Sequence, residues 1–255
     1  MPLVEYQKIP STHLGTTLDV YIRGEGPDVV ILPEIPGLHE AVFTLGDRIA
    51  DSGFRVHLLS LFGEDGKAFR YRDSLKELVK ACISREFSIL ASHRSSPICD
   101  WIRSYCAHLY EQQQRGIGLI GMCITGNFAL SMLAEPWMLA PVLSQPSLPF
   151  LSKSGLHVTK DIVRKAQQNQ SPPILGLRFT WDILCPKQRF RTLRKTFPHQ
   201  FHGIEIDSSP TNQHAIATTA HSVLTKDFVD QKGHPTYKAL QETLTFLQQN
   251  LAGPS

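Results

Sequence analysis

Residues 117–130 read IGLIGMCITGNFAL. An apolar run over 117–122 is long enough for one strand, and Gly121 sits near its end. From 125 the pattern changes to helical spacing, over 125–134. A single thiol, Cys123, stands at the junction. A strand that passes into a helix within two residues needs a tight turn, and a tight turn needs small neighbours. Gly121 and Gly126 supply them. A side chain at such a corner is pushed out of the sheet, and the following helix start offers free backbone N–H groups and positive potential.

The same alternation of strand and helix extends in both directions. Apolar, β-branched runs at 29–35, 54–61, 138–146, 172–180 and 202–207 read as strands. Helical spacing marks 39–53, where Ala41, Leu45, Ile49 and Ala50 share a side before Gly53 stops the pattern. It also marks 95–116, opened by Ser-Pro and closed by Gly116, then a basic helix at 186–197 and a last helix at 234–251. Strands that alternate with helices predict an α/β protein with a mostly parallel sheet covered on both faces. Two stretches, 64–94 and 147–171, carry no strand pattern and are expected to hold helices and loops over one end of the sheet. No repeat or low-complexity linker interrupts the chain, so residues 1–255 are read as a single domain.

The chemistry of the whole chain narrows the function. A formal charge of +3 over 255 residues and no basic cluster interleaved with aromatics give no nucleic-acid or membrane-surface signature. No apolar run reaches the roughly 18 residues of a membrane span. The N-terminal MPLVEYQKIPSTHLG lacks the apolar core of a secretory signal, and the five cysteines are widely spaced without a C-x-x-C pair. These features lead us to expect a cytoplasmic protein with reduced thiols.

In a parallel sheet, reactive groups gather at the carboxyl ends of the strands. Cys123 is at such an end, in the setting of a nucleophile elbow of the α/β-hydrolase fold with Cys in place of Ser. The second glycine of the usual elbow would stand at 125, but here that place is Thr125 and glycine follows one residue later. A thiol nucleophile uses a base, and the base an orienting acid; in this fold they follow in the order nucleophile, acid, His. Asp182, just past the strand 172–180, is the candidate acid. His221, in the long loop after the last strand, is the favoured base, with His202 and His214 as alternatives.

With EIPG at 34–37, GMCITG at 121–126, WDILCP at 181–186 and AHSV at 220–223 in this order, the chain resembles the dienelactone hydrolase family over roughly residues 15–250. The resemblance implies an α/β-hydrolase fold and a Cys123–His221–Asp182 triad cleaving small esters or lactones without a metal or organic cofactor. It also implies that Glu34 contacts the Cys123 thiol and helps to form the thiolate. An oxyanion hole would take one donor from the N–H of Ile124. The other would come from the loop after the first of these strands, where Pro36 has no N–H, so Ile35 is the expected donor. By the same resemblance, Arg85 is the candidate to hold a substrate carboxylate. The partner is therefore a small-molecule ester or lactone; oligomeric state is not legible. Two competing readings are a catalytically silent scaffold of the same fold, and a redox-sensing thiol with Cys185 as resolving partner.

Overall fold

The computed structural model describes residues 5–66, 96–147, 155–156, 158–168 and 172–252. Among them, eight strands form one sheet in the order β1-β2-β4-β3-β5-β6-β7-β8. In chain order these are β1 (Gln7–His13), β2 (Thr16–Arg23), β3 (Asp28–Leu32), β4 (Arg55–Leu59), β5 (Ile117–Met122), β6 (Met138–Ser144), β7 (Ile174–Phe179) and β8 (Phe201–Ile206). The six α-helices among the described residues are α1 (Glu40–Ala50), α2 (Pro97–Gln113), α3 (Gly126–Ser131), α4 (Lys160–Gln168), α5 (Lys187–Thr196) and α6 (Pro235–Leu251).

From β4 through β8 the sheet is parallel, as the apolar runs predict. Every residue of β3, β5 and β7 is buried, because helices cover both faces and leave no wet side. On one face Val42, Phe43, Leu45 and Ile49 of α1 pack with Ala239, Leu240 and Leu247 of α6. On the other, Trp101, Ile102 and Cys106 of α2 pack with Phe128 of α3 and Phe190 and Leu193 of α5. Two helices start on local signals. Ser96 Oγ accepts the N–H of Cys99 ahead of Pro97, and His234 caps α6 through the N–H of Thr236 ahead of Pro235.

The N-terminal hairpin is absent from the sequence expectation. β1 and β2 pair antiparallel through a two-residue turn in which Leu14 and Gly15 both have positive φ, 51° and 79°. β2 then runs antiparallel to β4, so the sheet is parallel only from β4 onward. The strand-free reading of 147–171 agrees with α4 there, whereas most of 64–94 lies outside the described residues.

Candidate active site

The parallel strands place their carboxyl ends along one edge, and the sequence-predicted residues follow those ends. Leu32 of β3 is in register with Gly121 of β5, so the Glu34–Ile35 turn and the Cys123 turn emerge side by side. Asp182 lies three residues beyond β7, and His221 lies in the loop between β8 and α6.

Cys123 has φ 56°, in the left-handed region that a non-glycine residue enters only where its surroundings hold it there. A single 3₁₀ turn, Cys123–Thr125, leads into α3. The glycines at the corner are required by close approach. A Cβ on Gly121 would lie 2.5 Å from the carbonyl oxygen of Thr125, and one on Gly126 would lie 2.8 Å from Pro146 Cβ. Thr125, the departure from the usual elbow, has a structural task of its own. Its fully buried hydroxyl accepts the Met122 N–H at 2.9 Å and lies 2.9 Å from Leu32 O and 2.8 Å from Met122 O, to one of which it donates. The side chain thereby ties the elbow to β3.

Asp182 is buried and divides its two oxygens. Oδ1 accepts the backbone N–H groups of Leu184 and Cys185, at 2.9 and 3.2 Å. Oδ2 lies 2.7 Å from His221 Nδ1. One residue thus caps the turn and holds the His221 imidazole. Arg178 steadies this loop from beneath, donating to Thr180 O and Cys185 O, both at 2.9 Å. The backbone of His221 is fixed in turn by Asp227, whose Oδ2 accepts the N–H groups of His221 and Ser222 at 2.8 and 2.9 Å.

With Nδ1 directed at Asp182, His221 Nε2 faces Cys123. Burial disfavours the imidazolium, but the Cys123 sulfur and the Asp182 carboxylate outweigh it, and the His221 pKa is raised well above its ordinary value. The arrangement favours a protonated imidazole beside the sulfur. His202 and His214, the alternatives, are both exposed; His214 packs on the ring of His234 instead.

Glu34 is buried, as its apolar neighbours require, but its partners differ from those expected. Its hydrogen bonds run to four other side chains rather than to Cys123. Oε1 lies 3.3 Å from His39 Nε2 and accepts from Thr225 Oγ1. Oε2 accepts from Ser222 Oγ at 2.7 Å and Gln145 Nε2 at 3.1 Å. Burial opposes its ionisation, yet the bonds from His39, Thr225 and Ser222 hold its pKa below the usual carboxylate value. Glu34 therefore links the ends of β3 and β6 to the loop that carries His221. Thr225 and Gln145 carry no local signal for this cluster, because they lie 191 and 111 residues from Glu34.

Ile35 and Ile124 pack together over the thiol, with Phe62 and Cys123 against them. Cys185 is fully buried, and burial pushes its thiol pKa far up, which disfavours the thiolate a resolving cysteine needs. Arg85 lies outside the described residues.

The family model of the dienelactone hydrolase family matches residues 18–251. The chain belongs to the dienelactone hydrolase family. No curated protein matches it by sequence. Among solved structures, it is similar to a dienelactone hydrolase-like promiscuous phosphotriesterase from metagenomic libraries, at 15% identity and TM-score 0.67, over 96% of this chain and 98% of that one. An α/β serine hydrolase without a lid from Xanthomonas campestris aligns at 12% identity and TM-score 0.60, over 99% and 98% of the two chains. A cold-adapted esterase from an Arctic intertidal metagenomic library aligns at 14% identity and TM-score 0.61, over 97% and 95%. At these identities the likeness establishes the α/β-hydrolase fold, and the family is one of hydrolases. No described helix is long and apolar enough to cross a membrane.

Proposed function

We propose that this dienelactone hydrolase family member is a single-domain, cytoplasmic carboxylic ester or lactone hydrolase that works through a Cys123–His221–Asp182 triad. The observation that carries the reading is the line from Asp182 Oδ2 through His221 to a cysteine held at φ 56° on a strand-to-helix corner. In the first half-reaction the Cys123 thiolate attacks the carbonyl carbon and an S–C bond forms. The N–H groups of Ile35 and Ile124 receive the developing oxyanion. His221 Nε2 gives its proton to the leaving alkoxide as the C–O bond breaks, leaving a thioester. His221 then takes a proton from water, hydroxide adds to the thioester carbonyl, and the thiolate departs with the acid product. Asp182 keeps the imidazole in one tautomer throughout. Arg85 is retained as the residue proposed to hold a substrate carboxylate.

The test is turnover of a panel of short acyl esters and unsaturated lactones before and after stoichiometric alkylation of Cys123. Hydrolysis that alkylation abolishes is the expected result. A folded protein that turns over no member of the panel would favour the silent scaffold instead.

Glu34 enters as a positioning residue. Its bonds to Ser222 and Thr225 hold the His221 loop, and its bond to Gln145 holds the end of β6. Glu34→Gln preserves shape but turns an NH₂ toward donors. We expect kcat to fall about tenfold or more, equivalent to about 1.4 kcal/mol in the barrier, with the fold retained. Because the Glu34 pKa is lowered in the folded chain, its contribution to stability is present above the unfolded carboxylate value of about 4.3 and is lost as pH falls through the folded one. The acid limb of thermal stability should therefore flatten in the variant. An unchanged kcat together with an unchanged acid limb would remove Glu34 from the machinery.

A further inference from the structure

Beyond β6 the chain reads Ser144-Gln145-Pro146-Ser147. Gln145 has φ 36°, and Pro146 packs against Gly126, so this segment bends back over the elbow. Ser147 is held there by both of its backbone groups. Its N–H donates to Cys123 O at 2.9 Å, and its carbonyl accepts from Asn127 Nδ2 at 2.6 Å. The same amide donates to Ile124 O at 3.0 Å, and Asn127 Oδ1 is held by the fully buried guanidinium of Arg189.

This framework aims the Ser147 hydroxyl at the reacting atoms. Oγ lies 2.9 Å from Cys123 Sγ, 3.4 Å from His221 Nε2 and 3.3 Å from Gln145 O. A hydroxyl has one proton to give. While His221 is protonated, Nε2 is itself a donor and cannot accept it. Of the two remaining acceptors, the sulfur is nearer.

We propose that Ser147 is a further catalytic residue: its hydroxyl donates to Cys123 Sγ and favours the thiolate of the resting enzyme. The proposal rests on the reading of Cys123 as nucleophile. A hydrogen bond to a charged acceptor is about twice as strong as one to a neutral acceptor, so the donor stabilises thiolate over thiol. No covalent bond to Ser147 forms. As the S–C bond develops, sulfur loses its charge and the hydroxyl bond weakens. The other titratable groups facing Cys123 are His221, with Asp182 behind it, and Cys185 in the core beneath.

The experiment is the pH dependence of iodoacetamide alkylation of Cys123, followed by mass spectrometry. Wild type, Ser147→Ala and Ser147→Thr are compared. The wild-type rate should rise with pH along an acid limb. Ser147→Ala should move that acid limb up by about one pH unit, so that alkylation below the limb slows about tenfold. Ser147→Thr keeps the hydroxyl and should keep the limb. If the alanine variant does not fold, Ser147→Gly also lacks the hydroxyl and gives the same reading. A limb that stays in place without the hydroxyl, whatever happens to Tm, overturns the proposal. So does a threonine variant that moves as far as the alanine one. Hydrolysis that survives complete alkylation of wild-type Cys123 would overturn the nucleophile reading as well, which separates the two failures.

Discussion

Cys123→Ala should abolish hydrolysis while leaving the fold intact. The expected loss in kcat is about a thousandfold or more, because removing a nucleophile leaves only what binding and the oxyanion donors supply. The substitution is mild for the fold. Cys123 is only partly buried, and its side chain meets the small apolar group of Ile35, Ile124 and Phe62. The backbone strain at φ 56° is held by neighbours that do not change: the Thr125 hydroxyl on Met122 and Leu32, and the Ser147 amide on Cys123 O. Tm should therefore change little. Cys123→Ser restores a nucleophilic atom but should also be poor, since a hydroxyl is far harder to deprotonate than a thiol. The check is kcat on any ester the wild type cleaves, with Tm measured beside it. A folded alanine variant that keeps more than about a tenth of the wild-type rate would sink the nucleophile assignment.

What could be read in advance was local. The elbow is legible because strand, glycine, thiol and helix are contiguous in IGLIGMCITGNFAL, and every residue of β5 is buried as a strand covered on both faces should be. Asp182 is legible from the end of β7 a few residues before it. The hairpin of β1 and β2 was not, because β1 is a mostly exposed edge strand and the apolar stretch of β2, Val20-Tyr21-Ile22, is short and set among Thr and charged residues. Its turn residues, Leu14 and Gly15, were the available signal. The Glu34 partners were hidden for another reason. A buried carboxylate must find donors, and that requirement can be read from its apolar neighbours; apart from His39, its donors come from segments 111 to 191 residues away. Thr125 shows the reverse case, a departure from a motif whose hydroxyl lies against Met122 and Leu32 at the elbow.

His221→Ala should lower kcat about a thousandfold or more, whereas His202→Ala should leave it within about twofold. The two histidines test position against composition, since 11 histidines are available and only geometry selects one. His202 is exposed on β8, in register with Leu175 of β7, near the amino end of its strand. His221 has Nδ1 at 2.7 Å from Asp182 Oδ2 and its other face toward Cys123. Losing it removes the proton donor for the leaving group and the acceptor for water, and it leaves the thiol without its cation. A second readout separates catalysis from scaffolding. Because the His221 pKa is raised in the folded chain, the pairing stabilises the fold fully below the unfolded value of about 6.5, and that contribution is lost as pH rises through the raised one. The wild-type protein should lose stability over that alkaline window, and His221→Ala should lose less of it. His202→Ala should show the wild-type slope. An inactive His202→Ala that folds normally, or a His221→Ala that turns over substrate at near wild-type rate, would transfer the base to another residue.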